Sequence, residues 1–152
     1  MPAQAVAAAK IVYNNIPKLK ASSAEKARAA VRKATTDCQA HARAAAPVKY
    51  STLRNSIDQR ILNDGMTGEV GTNLNYAAVQ EFGSGSFSEY PGAKKQRIII
   101  KPKTKKALAW PGAAHPVKKV KHPGVKGKPY LRPAAKKVEG PFISAMEAIV
   151  KL

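Results

Sequence analysis

The sequence predicts an α+β fold on three observations: an alanine-rich opening whose apolar residues recur at helical spacing, a turn signal between two β-prone runs, and a C-terminal segment suited to helix. Its 152 residues allow one core. The chain is therefore read as a single structural domain over 1–152, with a basic, proline-rich extended arm at about 91–133.

The first 46 residues read as helical. Val6, Ala9, Tyr13 and Ile16 recur at steps of three and four, and Pro17 interrupts them. Helix resumes at Ser22-Ser23-Ala24-Glu25, where Ser22 can cap the backbone and Glu25 can reach back in a capping box. Its buried stripe is expected at Ala27, Val31, Ala34, Cys38 and Ala45. Side chains that small let a sheet, the rest of the domain or a neighbouring subunit approach closely. Pro47 ends the helix.

Residues 51–56 read as a polar connector into a strand around 57–62. Asn63-Asp64-Gly65 tolerates positive φ, and with a second strand at 68–72 it predicts a hairpin. A short helix at 75–82 follows, closed by Gly83; its three-residue spacing puts Tyr76, Val79 and Phe82 toward the sheet and Gln80 and Glu81 elsewhere. From Arg97 onward, β-prone runs at 97–101, 108–110 and 117–120 alternate with Pro and Gly. Seven of the eleven prolines lie within 91–133, which excludes a helix there. A last helix follows Pro133 and runs to Leu152, with a break expected at Gly140-Pro141.

The net charge of +18 is concentrated in one place: residues 1–93 hold eleven Lys/Arg against seven Asp/Glu, residues 94–138 fifteen against none, and residues 139–152 one against two. Such an excess calls for an anionic partner, nucleic acid or an acidic protein surface. The arm residues concerned are Lys94, Lys95, Arg97, Lys101, Lys103, Lys105, Lys106, Lys118, Lys119, Lys121, Lys126 and Lys128. Three readings of them stay open: contact with DNA, docking on acidic faces of neighbouring subunits, or a solvated charged loop. With Trp110 and Tyr130 as nearly the whole aromatic complement of the segment, sequence-specific single-strand recognition is not expected.

Enzyme signatures are not found: the sequence has no phosphate-binding Gly-rich loop, no His-Glu-x-x-His and no Cys-x-x-Cys. His115 and His122 each precede a proline and read as turn residues, since no Cys or carboxylate stands near to complete a tetrahedral metal site. Ser51, Ser56 and His41 have no spacing that supports a hydrolase set. No catalytic residue, metal or cofactor is expected. The lone Cys38 and an N-terminus without a secretory pattern predict a protein made in a reducing cytoplasm. No apolar run approaches the ~20 residues of a membrane-spanning helix, which predicts a soluble chain with no membrane partner.

Three segments carry a family resemblance. Ala46-Pro47-Val48-Lys49-Tyr50-Ser51-Thr52-Leu53-Arg54-Asn55-Ser56-Ile57 is similar to Ala-Pro-Val-x-Thr-Gly-x-Leu-Arg-x-Ser-Ile, with Tyr50-Ser51 in place of Thr-Gly. Asn75-Tyr76-Ala77-Ala78-Val79-Gln80-Glu81-Phe82-Gly83-Ser84-Gly85 is similar to Tyr-Ala-x-x-x-Glu-x-Gly-Thr-Gly. His122-Pro123-Gly124, followed by Pro129-Tyr130-Leu131-Arg132-Pro133-Ala134, is similar to His-Pro-Gly followed by Pro-Phe-Leu-Arg-Pro-Ala. In this order, with a basic strand at 105–110 between the second and third, they resemble the tail-completion, or head–tail joining, family of long-tailed double-stranded-DNA phages, over roughly 1–150.

That resemblance implies a non-enzymatic α+β subunit of the virion neck, assembled in the host cytoplasm into a homo-oligomeric ring of six- or twelve-fold order. Its implied partners are copies of itself, portal-connector and tail-tube or tail-terminator proteins, with non-specific contact to packaged DNA as a further possibility. Residues expected at interfaces are Ala34, Tyr76, Glu81, Phe82, Gly83, Trp110, Tyr130 and Arg132. The competing reading, from composition alone, is a small basic nucleic-acid-binding protein of the ribosomal type.

Overall fold

The computed structural model describes residues 9–11, 21–47, 51–104, 106–112 and 114–150. They form helices and two small antiparallel sheets, an α+β architecture, in two compact units. The first unit takes the described residues up to Glu81 together with those from Pro129 on; the second runs from Phe82 to Lys128.

In the first unit, strand β1 (Ala9–Ile11) precedes helix α1 (Ala21–Ala45). The helical reading of residues 9–11 is thus corrected: they pair antiparallel with strand β3 (Thr67–Gly71), in the register Ala9↔Val70 to Ile11↔Gly68. Alanine-rich helix propensity is a weak prior, and an unpaired sheet edge offers a run of backbone donors and acceptors that outweighs it. The expected interruption at Pro17 lies outside the described residues, as does the Ser22 side chain of the expected capping box.

The buried stripe of α1 runs through Ala27, Val31, Ala34, Cys38 and Ala42 and ends on Ala46 just past the helix. Ala45, expected on that stripe, is exposed. Helical period alone would bury it, but it is the last residue of α1, and Ala46 just beyond the helix enters the core in its place.

After Pro47, the expected polar connector holds a short helix, α2 (Thr52–Ser56), because Leu53 is drawn into the core. Strand β2 (Asp58–Leu62) and β3 then form the expected hairpin, with Asn63, Asp64 and Gly65 all at positive φ (52°, 53° and 85°). The sheet order is β1-β3-β2. Its turn is tied to α1 by Arg28, whose Nε donates to the Asp64 carbonyl at 2.8 Å and whose guanidinium pairs with the Asp64 carboxylate. Further along α1, Gln39 Nε2 and Arg43 Nε and Nη2 all donate to the Ile57 carbonyl, at 3.1, 3.1 and 2.7 Å.

Helix α3 (Ala77–Phe82) buries Ala77 and Glu81, one turn apart. The expected face is therefore reversed: Tyr76 is 48% and Val79 42% exposed. Helix α4 (Leu131–Val150) begins before Pro133 and passes through Pro141 without the expected break. Pro133 falls in the first turn, where backbone N–H groups have no intrahelical partner to lose. Pro141 costs about 3 kcal/mol inside a helix; Val138, Phe142, Met146 and Ile149 hold the helix together by burying one continuous face around it.

That face meets α1 in antiparallel fashion. Cys38, Ala42 and Ala46 cluster with Leu53, Ile57, Val70, Ala77, Tyr130, Leu131, Ala134 and Val138, while Ala27, Val31 and Ala34 cluster with Phe142, Met146 and Ile149. The small residues of α1 thus admit another helix of the same chain. Where α1 crosses β3 the approach is closer still: a Cβ on Gly68 would overlap Thr35 Oγ1.

In the second unit, strands β4 (Ile98–Ile100) and β5 (Val120–His122) pair antiparallel, Ile98↔His122 to Ile100↔Val120. Leu108 and Val117 exchange both backbone hydrogen bonds, at 2.8 and 3.0 Å, inside the loop that joins them. The expected extended runs pair with one another. A 3₁₀ turn, Gly85–Phe87, precedes the ribbon, and the loop around it is laced to the His-Pro-Gly segment. Ser84 N–H donates to the Val125 carbonyl, Ser86 N–H to the Pro123 carbonyl, and Val125 N–H to Ser84 Oγ, at 2.8, 2.7 and 3.1 Å.

Candidate functional site

The most unusual side chain of the first unit is Glu81, a carboxylate only 1% exposed. It sits in the last turn of α3 and reaches the start of α4. Oε2 accepts from the backbone N–H groups of Tyr130 and Leu131, at 2.7 and 2.9 Å. Oε1 accepts from the backbone N–H and Nε of Arg132, at 3.0 and 3.1 Å, and Arg132 Nη2 donates to the Glu81 carbonyl at 3.1 Å.

Burying an isolated carboxylate costs several kcal/mol. Here three amides at a helix N-terminus, carrying the positive end of its dipole, and one guanidinium offset that cost with charge-assisted hydrogen bonds. A carboxylate has about four acceptor positions. Four donors fill them, so Glu81 has no lone pair to offer a substrate, and its chemistry here is that of a remote helix cap.

Tyr130, the residue at the turn into α4, is fully buried, and its hydroxyl finds no hydrogen-bond partner among the described residues. Burial first, and then the nearby negative charge of Glu81, push its phenol well above the ordinary tyrosine value. Burial likewise raises the Cys38 thiol, which leaves it a core side chain with little thiolate.

The residues expected at interfaces divide accordingly. Glu81, Tyr130 and Arg132 come together inside one chain. Ala34 is 7% exposed and packs with Phe142, Met146 and Ile149 of α4. Phe82 stands edge-on to Tyr90, with ring centroids 5.2 Å apart, and Gly83 is buried with φ at 76°. Tyr76 and Trp110 keep about half their surface exposed.

Of the arm residues, Lys105 lies outside the described residues and the other eleven are exposed, with Lys126 Nζ 5.7 Å from the centre of the Phe87 ring. An open cleft of about 540 Å³ in the second unit has Lys94 and Arg97 as its charged lining, beside Ser84 and Ser88. Among the described residues no group of three or more His, Cys, Asp or Glu is placed to hold a metal, and no helix is long and apolar enough to cross a membrane. His122 uses Nδ1 to accept from the Gly124 N–H, at 3.0 Å.

Sequence reasoning named both halves of the Glu81 site without joining them. Glu81 and Arg132 stand in different motifs, 51 residues apart, and neither periodicity nor composition links them. The residues it missed are Thr35 and Gly68, whose contact no local pattern announces.

Residues 10–83 match a family model, HK97-gp10-like, described as "Bacteriophage HK97-gp10, putative tail-component". The match spans about half of the chain, narrower than the resemblance over 1–150, and takes in α1, the hairpin, α3 and Glu81. No curated protein and no solved structure matches the chain.

Proposed function

We propose, from the premise that residues 10–83 are those of a phage tail-component family, that this chain is a structural virion subunit forming a homo-oligomeric ring at the head–tail junction. The match over those residues is the observation that carries the reading. The saturated Glu81 site supports a structural and not a catalytic role, because it ties α3 to α4 and leaves nothing over for chemistry.

In this reading closed rotational symmetry makes each subunit present two different surfaces, one to each neighbour. Tyr76 and Trp110, aromatic and half exposed, are side chains of the kind that anchor such contacts. Portal-connector proteins on the head side and tail-tube or terminator proteins on the other complete the set of partners.

The test is a phage whose genome carries this reading frame interrupted, examined by electron microscopy. DNA-filled heads accompanied by unattached or unfinished tails are expected, with attachment restored when the protein is supplied from a plasmid. Complete infectious particles without the protein would overturn the proposal. Native mass spectrometry of the purified chain reads the ring directly: a closed oligomer is expected, weakened by Trp110→Ala or Tyr76→Ala.

A further inference from the structure

We infer that the β4–β5 ribbon is a sequence-independent binding surface for the phosphate backbone of duplex DNA. The inference rests on the second unit alone, nearly all of which lies beyond the matched span, and does not need the ring.

The ribbon has two unlike faces. Side chains alternate along a strand, so Ile98 and Ile100 share one face with their partners His122 and Val120. Ile99 and its partner Lys121 lie on the other, and Arg97, Lys101 and Lys119, just outside the strands, each stand two residues from one of that pair in sequence. The first face is apolar and half covered; on the second, Ile99 is 56% exposed and all four cations around it are exposed. With ~3.3 Å per residue, Arg97 and Lys101 stand ~13 Å apart, with Lys121 beside Ile99 between them. Duplex DNA carries one negative charge per ~1.7 Å of its axis, so that length faces several phosphates at once, and a two-stranded ribbon fits a groove ~12 Å wide.

The charge type selects the occupant. Residues 82–128 carry eleven Lys and one Arg against the single acid Glu89. Protein–protein interfaces favour Arg, whose planar fork matches a carboxylate, and are depleted in Lys. Lysines are compact point charges on flexible stems, suited to neutralising phosphates without regard to geometry. Base stacking has little support on this face, which carries no aromatic side chain.

The experiment is equilibrium binding of the full-length chain to a fluorescent, mixed-sequence DNA duplex, followed by anisotropy as salt rises from ~50 to ~200 mM. Wild type should bind with affinity that falls linearly on a log–log plot. The triple variant Lys101→Gln, Lys119→Gln, Lys121→Gln should lower that slope by about 3 and weaken low-salt binding roughly tenfold or more. Lys26→Gln, Arg32→Gln, Lys136→Gln, on exposed helix positions, should leave both within about twofold. Lys101→Arg, Lys119→Arg, Lys121→Arg should keep wild-type binding. Equal loss in the Gln and Arg variants would mean the ribbon was merely disturbed, and would overturn the inference. So would equal slopes in all variants, or a chain that binds poly-glutamate and not the duplex, which would make the occupant an acidic protein.

Discussion

Glu81 and Arg132 stand 51 residues apart, yet Glu81 Oε1 receives both the backbone N–H and the Nε of Arg132, at 3.0 and 3.1 Å. The two partners are not equal in burial: the side chain of Glu81 is 1% and that of Arg132 45% exposed. Removing the carboxylate strands buried amides at the start of α4, whereas removing the guanidinium leaves the three amides still capped.

Glu81→Ala should therefore destabilise the chain by about 3 kcal/mol or more, and Arg132→Ala by about 1 kcal/mol. Urea unfolding followed by circular dichroism measures both. Equal effects would show that the ion pair, and not the helix cap, holds α4 to α3.

Gly68 is required by its neighbour and not by its backbone. A methyl group there would overlap Thr35 Oγ1, which donates to the Val31 carbonyl at 2.7 Å. Gly68→Ala should cost about 1–3 kcal/mol by overpacking. Thr35→Ala in the same chain should return part of that cost, with a coupling of about 0.5 kcal/mol or more in a double-mutant cycle. Strict additivity would mean that α1 and β3 move apart freely.

The buried Tyr130 hydroxyl, without a partner among the described residues, gives a pH dependence of known sign. Its folded-state pKa is raised, so the unfolded chain loses this proton first. The associated stability is complete below the ordinary tyrosine value of ~10 and falls as pH rises above it. Tyr130→Phe should abolish that part of the alkaline decline while changing stability at neutral pH by no more than about 1 kcal/mol. Thermal melts of both proteins between neutral and alkaline pH decide it; a large neutral-pH loss would reveal a hydrogen bond.

Gly124 combines φ at 103° with backbone contact, since a Cβ there would overlap the Ser84 carbonyl. Gly124→Ala should release the loop around the 3₁₀ turn, costing about 1–3 kcal/mol locally. Amide exchange at Ser84, Ser86 and Val125 should accelerate together, because their hydrogen bonds span the same contact. Unchanged protection would mean the His-Pro-Gly segment does not hold the loop.

What the sequence determined by itself is what neighbours along the chain encode. Asn63-Asp64-Gly65 specifies its turn because each residue tolerates positive φ, and Gly83 closes α3 for the same reason. The stripe from Ala27 to Cys38 follows from helical period alone, and the pairing-prone runs of the ribbon from their β-branched residues between prolines. These are short-range effects, readable over a window of a few residues.

Only the tertiary structure decided what depends on a distant partner. Ala9–Ile11 became a strand because β3 had an edge to pair, and Pro141 stayed helical because the residues around it bury one face against α1. Tyr76 and Val79 lost the buried side of α3 to Ala77 and Glu81, against all apolar patterning. The reason is energetic: a carboxylate is an unfavourable core residue until three helix amides and a guanidinium converge on it, and their arrival from residues 130–132 is set by packing that no local spacing records.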